Sequence, residues 1–254
     1  MKQKFITKKL CFSLWIFIFS FNFTLNLNAQ SYVNTESGVL FTGLNNIKNG
    51  PNASIFSLKD DLRTPPSFFL RCRAGFSLKN KHNFSILYAP LSLTATGLLE
   101  RDILYDGEVF KSQNKIEAIY KFDSYRFTYN RKVLNNEAIE IGLGGSIKIR
   151  YAGSSLKNKD FLEENFSIGF VPLMNLFLSY DISEKIDFIF FGEGIATNKG
   201  RAIDASISGK YLFTKNLHGN IGYRILEGGF NGSVRYNFIQ IHFLFARLTF
   251  LYSR

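Results

Sequence analysis

Nine ionisable side chains of this 254-residue chain share one feature: each sits in a run whose alternate positions are apolar. They are Arg71, Arg73, Arg126, Glu140, Lys148, Arg150, Glu193, Asp204 and Arg224, and Arg201 and Glu227 stand near the ends of such runs. Three kinds of chemistry could use them. They could serve as acids and bases around a bound substrate, line an ion path, or pair with one another in a confined interior. Acid–base work usually recruits histidine, but His82 and His218 fall at expected turns and His242 falls in mid-run, so the three do not converge. A selective ion path is commonly lined by charge of one sign, whereas both signs are present here. Pairing is the favoured reading, because a buried charge is costly unless it is paired. The segment Gly142–Ser146 (GLGGS) superficially resembles a phosphate loop, yet it lies inside an alternating run and lacks the strand–turn–helix setting such a loop needs. No cluster of His, Cys, Asp and Glu at metal-ligand spacing is present, and no cofactor is expected.

The elements that carry these charges are legible in the stretch AIEIGLGGSIKIRYAG from Ala138 to Gly153. Glu140, Gly142, Gly144, Ser146, Lys148 and Arg150 alternate with Ile139, Ile141, Leu143, Ile147, Ile149 and Tyr151, the period of a β-strand with one polar and one apolar face. The same alternation sets Arg71 and Arg73 against Leu70, Cys72 and Ala74, and Arg126 against Tyr125 and Phe127. Asp204 lies between Ile203 and Ala205, and Arg224 between Tyr223 and Ile225. Two covers could shelter the apolar face: a second sheet, as in a soluble sandwich, or lipid around a closed barrel with a polar interior. A polar face rich in Arg, Glu, Lys, Asp, Gly and Ser over many strands points to the barrel.

The ends and the composition agree with that cover. MKQKFITKKL carries four lysines and no acid, CFSLWIFIFSF is apolar, and the segment closes at Ala29: the order of a cleaved secretory signal. Residues 1–29 are therefore expected to be removed, leaving 30–254 as a single barrel domain. Cys11 precedes the apolar core, so it is not a lipid-attachment site, and one further cysteine, Cys72, cannot form an internal disulfide. The formal charge of +11 includes four lysines ahead of Ala29, which leaves +7 downstream. With no recognisable nucleic-acid module, that charge is read as attraction to lipid and lipopolysaccharide phosphates. The 28 Phe and 12 Tyr, against 5 Pro, suit long strands with an aromatic outer surface.

Short turns at 79–83, 134–137, 182–185 and 214–218 alternate with longer or middling loops, the two rims of a bacterial outer-membrane barrel. Strands are expected at 36–44, 67–78, 83–95, 115–133, 137–152, 164–181, 185–197, 201–213, 217–227 and 234–252. That is an antiparallel up-and-down transmembrane β-barrel of about ten strands, with eight as the alternative. The first strand alternates poorly, the run from Lys115 to Val133 could fold as a hairpin at Asp123–Ser124, and a bulge is expected at Val171–Pro172.

The closing run FLFARLTFLYSR, with Leu244, Ala246, Leu248, Phe250 and Tyr252 alternating toward the end, resembles the C-terminal strand read by the barrel assembly machinery. Its phase is open, because Gln240 and His242 share the parity of those apolar residues. Taken whole, the chain resembles small bacterial outer-membrane β-barrel proteins, in the porin-like superfamily of Gram-negative cell envelopes. The resemblance implies outer-membrane localisation, contact with lipid and lipopolysaccharide, and no nucleic-acid partner; it leaves the oligomeric state open. Omptin-type proteases share ten strands but require an acid pair and an Asp–His pair at the outer rim, and lipid A acyl-modifying barrels require Ser or His with a supporting acid; neither set can be assembled here. The expected function is a structural or surface-interaction barrel with a charged, side-chain-plugged lumen. The alternatives are a narrow pore or carrier for small solutes and, third, an outer-leaflet lipid-modifying enzyme.

Overall fold

In the computed structural model, which describes residues 29–253, the alternating runs are antiparallel strands. They are β1 (Ala29–Asn49), β2 (Phe56–Ser57), β3 (Ser67–Leu78), β4 (His82–Ala89), β5 (Ser92–Leu98), β6 (Ile103–Tyr105), β7 (Glu108–Phe110), β8 (Lys115–Asn135), β9 (Ile139–Lys157), β10 (Leu162–Ser183), β11 (Ile186–Thr197), β12 (Gly200–Thr214), β13 (Leu217–Asn231) and β14 (Arg235–Ser253). β4 and β5 are one wall strand. Both pair with β8 in a single register, Ala89 opposite Ser124 and Ser92 opposite Lys121, interrupted where Pro90 cannot donate to the ladder. Ten wall strands result, each paired with its sequence neighbour, and β1 pairs with β14 from Gln30↔Ser253 to Asn49↔Arg235, closing the barrel. The expected signal segment lies, apart from Ala29, outside the described residues.

Three local expectations are corrected or settled by the pairing. Lys115–Asn135 is one continuous strand, so there is no hairpin at Asp123–Ser124. No bulge occurs at Val171–Pro172: β10 pairs with β9 without a shift from Leu162 to Tyr180. Pro172 instead sits two residues beyond Met174, where pairing with β11 begins, so it occupies an edge position, which proline tolerates. The shift near the C-terminal strand falls in β1, between Thr42 and Leu44, and β14 runs straight. His242 therefore faces outward, where its ring stacks on Tyr223 and shares a 2.5 Å hydrogen bond with the Tyr223 hydroxyl.

Outward-facing side chains of the wall strands form an apolar belt. Met174 and Ile221 are 78% and 79% exposed, and Phe68, Ile86, Phe127, Ile147, Phe170, Ile207 and Leu244 are exposed around the same belt. A continuous exposed belt of this kind on a closed barrel is the surface that lipid covers. Tyr151, Tyr180, Tyr211 and Tyr252 lie exposed among these apolar residues on four strands.

The described ends of the chain, Ala29 and Ser253, and the four short turns share one rim. At the opposite rim, segments 50–66 and 99–114 fold inward and pack on Leu93, Ile116 and Leu156 of the wall, an apolar core in which these three and Phe56, Leu58, Leu99, Ile103, Tyr105 and Phe110 are fully buried. The β6–β7 hairpin turns at Asp106–Gly107, both at positive φ, the geometry that an Asp-Gly pair favours. Tyr105 anchors this cap to the wall by donating its hydroxyl to the Ser154 carbonyl at 2.8 Å. On the far side, β11 and β12 meet at Thr197–Gly200 while β10 runs on to Leu162, leaving a notch in the wall.

Candidate functional site

Parity decides which side chains enter the lumen, and tilt decides which of them meet. Wall strands lean across the barrel axis, so residues at one height fall at shifting positions in successive ladders. At mid-barrel this brings Glu36 of β1, Arg71 of β3, Arg126 of β8, Glu193 of β11, Asp204 of β12, Arg224 of β13 and Arg247 of β14 into one layer. All but Arg247 are under 9% exposed.

Two carboxylates organise this layer. Arg224 clamps Glu36 with Nε and Nη2 at 3.0 and 2.8 Å and reaches Asp204 with Nη1 at 2.7 Å. Arg247 bonds the same Glu36 Oε2 through Nη2 at 2.6 Å and Nε at 3.0 Å. Asp204 also takes Arg126 Nη2 at 2.7 Å, and Arg71 touches Glu36 and Asp204 at 3.4 Å each. Arg126 turns its other nitrogen to Glu193, whose second oxygen accepts from Ser146 at 2.5 Å and Thr128 at 3.3 Å. Below, Asn175 donates to Ser146 and to the Tyr129 carbonyl, and Asn130 donates to Asn175. Paired, hydrogen-bonded charge is the form in which a confined interior tolerates ions.

The layer carries more cations than acids. Arg73 and Lys148 flank it without a carboxylate partner among the described residues: Arg73 bonds Ser85 and lies over Phe191, and Lys148 Nζ lies 5.3 Å from the centre of the Phe122 ring. Arg224 and Arg247 both lie over Phe245. Aromatic faces thus stabilise part of the surplus positive charge.

The remaining expected site residues stand elsewhere. Glu140 and Arg150 share the polar parity of Arg126 and Arg224, which predicts one network for all four, and the structure separates them. Glu140 pairs with Lys132 at 2.8 Å toward the rim with the chain ends. Arg150, ten residues along β9, is about 30 Å away by strand rise and lies on the loop side of the ion-pair layer, where Gly169 opposite it leaves room for the guanidinium. Arg201 and Glu227 pair at the notch, on the outward parity of Tyr223, with Arg201 over Phe238.

Two network members, Glu36 and Arg247, did not emerge from the sequence. Arg247 could have, because it alternates with Ala246, Leu248 and Phe250 on the polar parity. Glu36 sits among Asn34, Thr35, Ser37 and Gly38, where neither face is apolar enough to declare itself.

The layer divides the lumen. Toward the loops lies a chamber of about 390 Å³ lined by Tyr120, Phe122, Lys148, Arg150, Val171, Ile195, Leu226 and Ile239. Toward the chain ends lies one of about 290 Å³ lined by Tyr32, Asn83, Lys132, Glu140, Lys210 and His218. Arg71 and Arg224 border the second from above. Among the described residues no group of three or more His, Cys, Asp or Glu could hold a metal ion. His82 bonds the Tyr129 hydroxyl at 2.9 Å near one rim, His218 lines the lower chamber and His242 faces outward, so the histidines do not meet.

The fold is that of bacterial outer-membrane β-barrel proteins. The outer membrane protease OmpT from Escherichia coli is similar with a TM-score of 0.51 at 10% sequence identity, over 90% of this chain and 99% of that one. An outer membrane channel from Pseudomonas putida is similar with a TM-score of 0.44 at 10% identity, over 92% and 98% of the two chains. Ail, the attachment invasion locus protein of Yersinia pestis, gives 0.37 at 11% identity over 87% and 99%. No protein-family model matches the chain, and no curated protein does. At such identities the likeness concerns architecture, and three different roles are carried by the proteins named.

Proposed function

We propose that this chain is an outer-membrane barrel closed to ion flow at mid-height, which works through the chamber and cap on its loop side rather than as a through-pore. The observation that carries this reading is the layer from Glu36 to Arg247, which draws on β1, β3, β8, β11, β12, β13 and β14 and joins opposite walls through fixed guanidinium–carboxylate bonds. The exposed apolar belt supports a lipid-covered wall, and the fold supports the outer membrane as its place. In this reading the rim with the chain ends is periplasmic, the signal is cut after Ala29, the assembly machinery inserts the barrel, and the basic surface meets lipopolysaccharide phosphates.

The test is topological. Single cysteines are introduced at Lys111, in the loop cap, and at Lys215, in the β12–β13 turn, each in a Cys72→Ser background. A membrane-impermeant thiol reagent applied to intact cells should label the first and spare the second until the outer membrane is opened. Equal labelling of both, or recovery of the protein in the soluble periplasm, would sink the reading.

A narrow pore is the second reading, and the surplus of cations over acids in the layer favours an anion-selective one. It requires the layer to part.

A further inference from the structure

The chamber on the loop side has an apolar wall and a charged floor, and the charge is of one sign. Its inward-facing ionisable groups are Lys148 and Arg150. Lys148 is 3% exposed and its ammonium has no ion pair among the described residues. The two acids within its field, Glu193 and Asp204, are both held by Arg126, and Asp204 by Arg71 and Arg224 as well. Arg150 likewise lacks a carboxylate. Glu227, the acid that borders the chamber, is committed to Arg201 on the outer face. A nearly buried, unneutralised ammonium facing a cavity is a position that a ligand anion would complete.

The rest of the lining specifies the other end of that ligand. Val171, Ile195, Leu226 and Ile239 offer apolar surface beside the two cations, and Tyr120 and Phe122 add ring faces. A volume of about 390 Å³ falls in the range of small-molecule sites. The chamber also reaches Thr197 and Gly200 at the notch, where Arg201 and Glu227 follow Ile203 and Ile225 on the outward parity of β12 and β13. Its mouth therefore opens at the height where lipid head groups begin.

We propose that this chamber binds an amphipathic anion: one carboxylate or phosphate head on Lys148 and Arg150, and a single alkyl chain along the apolar wall. The proposal rests on the closed-barrel reading, because the ion-pair layer lies beneath the chamber and closes the lumen below it.

The test titrates the barrel in phosphatidylcholine nanodiscs, free of detergent, with decanoate, decyl phosphate, decanol and acetate, each against protein-free nanodiscs. Saturable one-site binding of decanoate or decyl phosphate is expected, with decanol about ten-fold weaker or more and acetate weaker still. Tighter binding of decyl phosphate would assign a phosphate head, and tighter binding of decanoate a carboxylate. Lys148→Met should weaken the anionic probes about ten-fold and leave decanol unchanged. Should that variant fail to fold by gel mobility, Arg150→Leu takes its place, and Val171→Trp, which fills the chamber, should abolish binding of every probe. The proposal is overturned if decanol binds as tightly as decanoate, if loss of either cation leaves the anions unaffected, or if nothing saturates. Bilayer current is recorded on the same preparation: silence without binding removes the site and keeps the closed barrel, whereas sustained current removes the closure on which the site depends.

Discussion

Replacing Glu36 by Gln should destabilise the barrel more than any other single change in the ion-pair layer. Glu36 accepts four hydrogen bonds at 3.0 Å or less, two from Arg224 and two from Arg247, and Arg71 approaches at 3.4 Å. Arg224 and Arg71 keep Asp204 when the charge is lost, but Arg247 has no second acid among the described residues. Removing one partner of a buried ion pair costs about 3–5 kcal/mol, because the other charge is stranded. Retention of Asp204 by two of the three arginines places Glu36→Gln at the lower end, about 3 kcal/mol. Adding Arg247→Gln removes the stranded charge, so the double variant should recover about 1–2 kcal/mol, within the usual range of coupling between contacting residues. The assay is urea unfolding in lipid vesicles, read from the mobility of unheated samples on gels and from circular dichroism. The lone tryptophan, Trp15, lies ahead of Ala29 and offers no probe of the wall. A Glu36→Gln barrel within about 0.5 kcal/mol of the parent would refute the reasoning, because the layer would then be solvated rather than confined.

Other expectations follow from the wall and the cap. Ile221→Arg, at a site 79% exposed on the apolar belt, should cost about 2–4 kcal/mol near the bilayer midplane in the same unfolding assay, and an unchanged midpoint would mean that lipid does not cover this face. Gly144→Ala would set a Cβ 2.0 Å from the Tyr129 carbonyl oxygen and should cost about 1–3 kcal/mol through overpacking, visible as a lower temperature for the gel-mobility shift. Burial pushes the Tyr105 hydroxyl up to about 12 from the ordinary value near 10. The folded cap thus holds that proton more tightly than the unfolded chain, and its contribution is complete below about pH 10 and lost as pH rises toward 12. Tyr105→Phe should cost about 1 kcal/mol at neutral pH and flatten the alkaline decline of the urea midpoint; a decline as steep as the parent's would exclude Tyr105 as its source.

Faces were legible in the sequence and heights were not. Alternation from Ala138 to Gly153 puts Glu140, Lys148 and Arg150 on the lumen side, as the structure has them, because strand side chains repeat every two residues. The same alternation suggested that Glu140 and Arg150 share partners, although they lie at opposite ends of β9. Which charges meet depends on tilt and stagger between strands, quantities that no single strand encodes. Pro172 shows the same limit: it signals an interrupted ladder, but only the lengths of β10 and β11 decide between a bulge and an edge. β1 is the least legible strand, because Thr35 and Ser37 blur its outward face and the shift at Thr42/Leu44 reverses its parity. Asp106–Gly107 carries the turn signature of the β6–β7 hairpin, but strands of three residues each leave no alternation to mark it. The cap core was beyond reach, since Phe56, Leu99 and Phe110 are brought together only by loop closure.

The central claim, a lumen closed by its own ion pairs, is tested most directly by current through single barrels in a planar bilayer. Wild-type barrels should stay silent across the applied voltage range. The Arg126→Ser, Glu193→Ser pair should conduct, once its fold is verified by gel mobility, because it removes a bridge between β8 and β11. Sustained open steps in the wild-type protein, rising with salt concentration, would contradict the account.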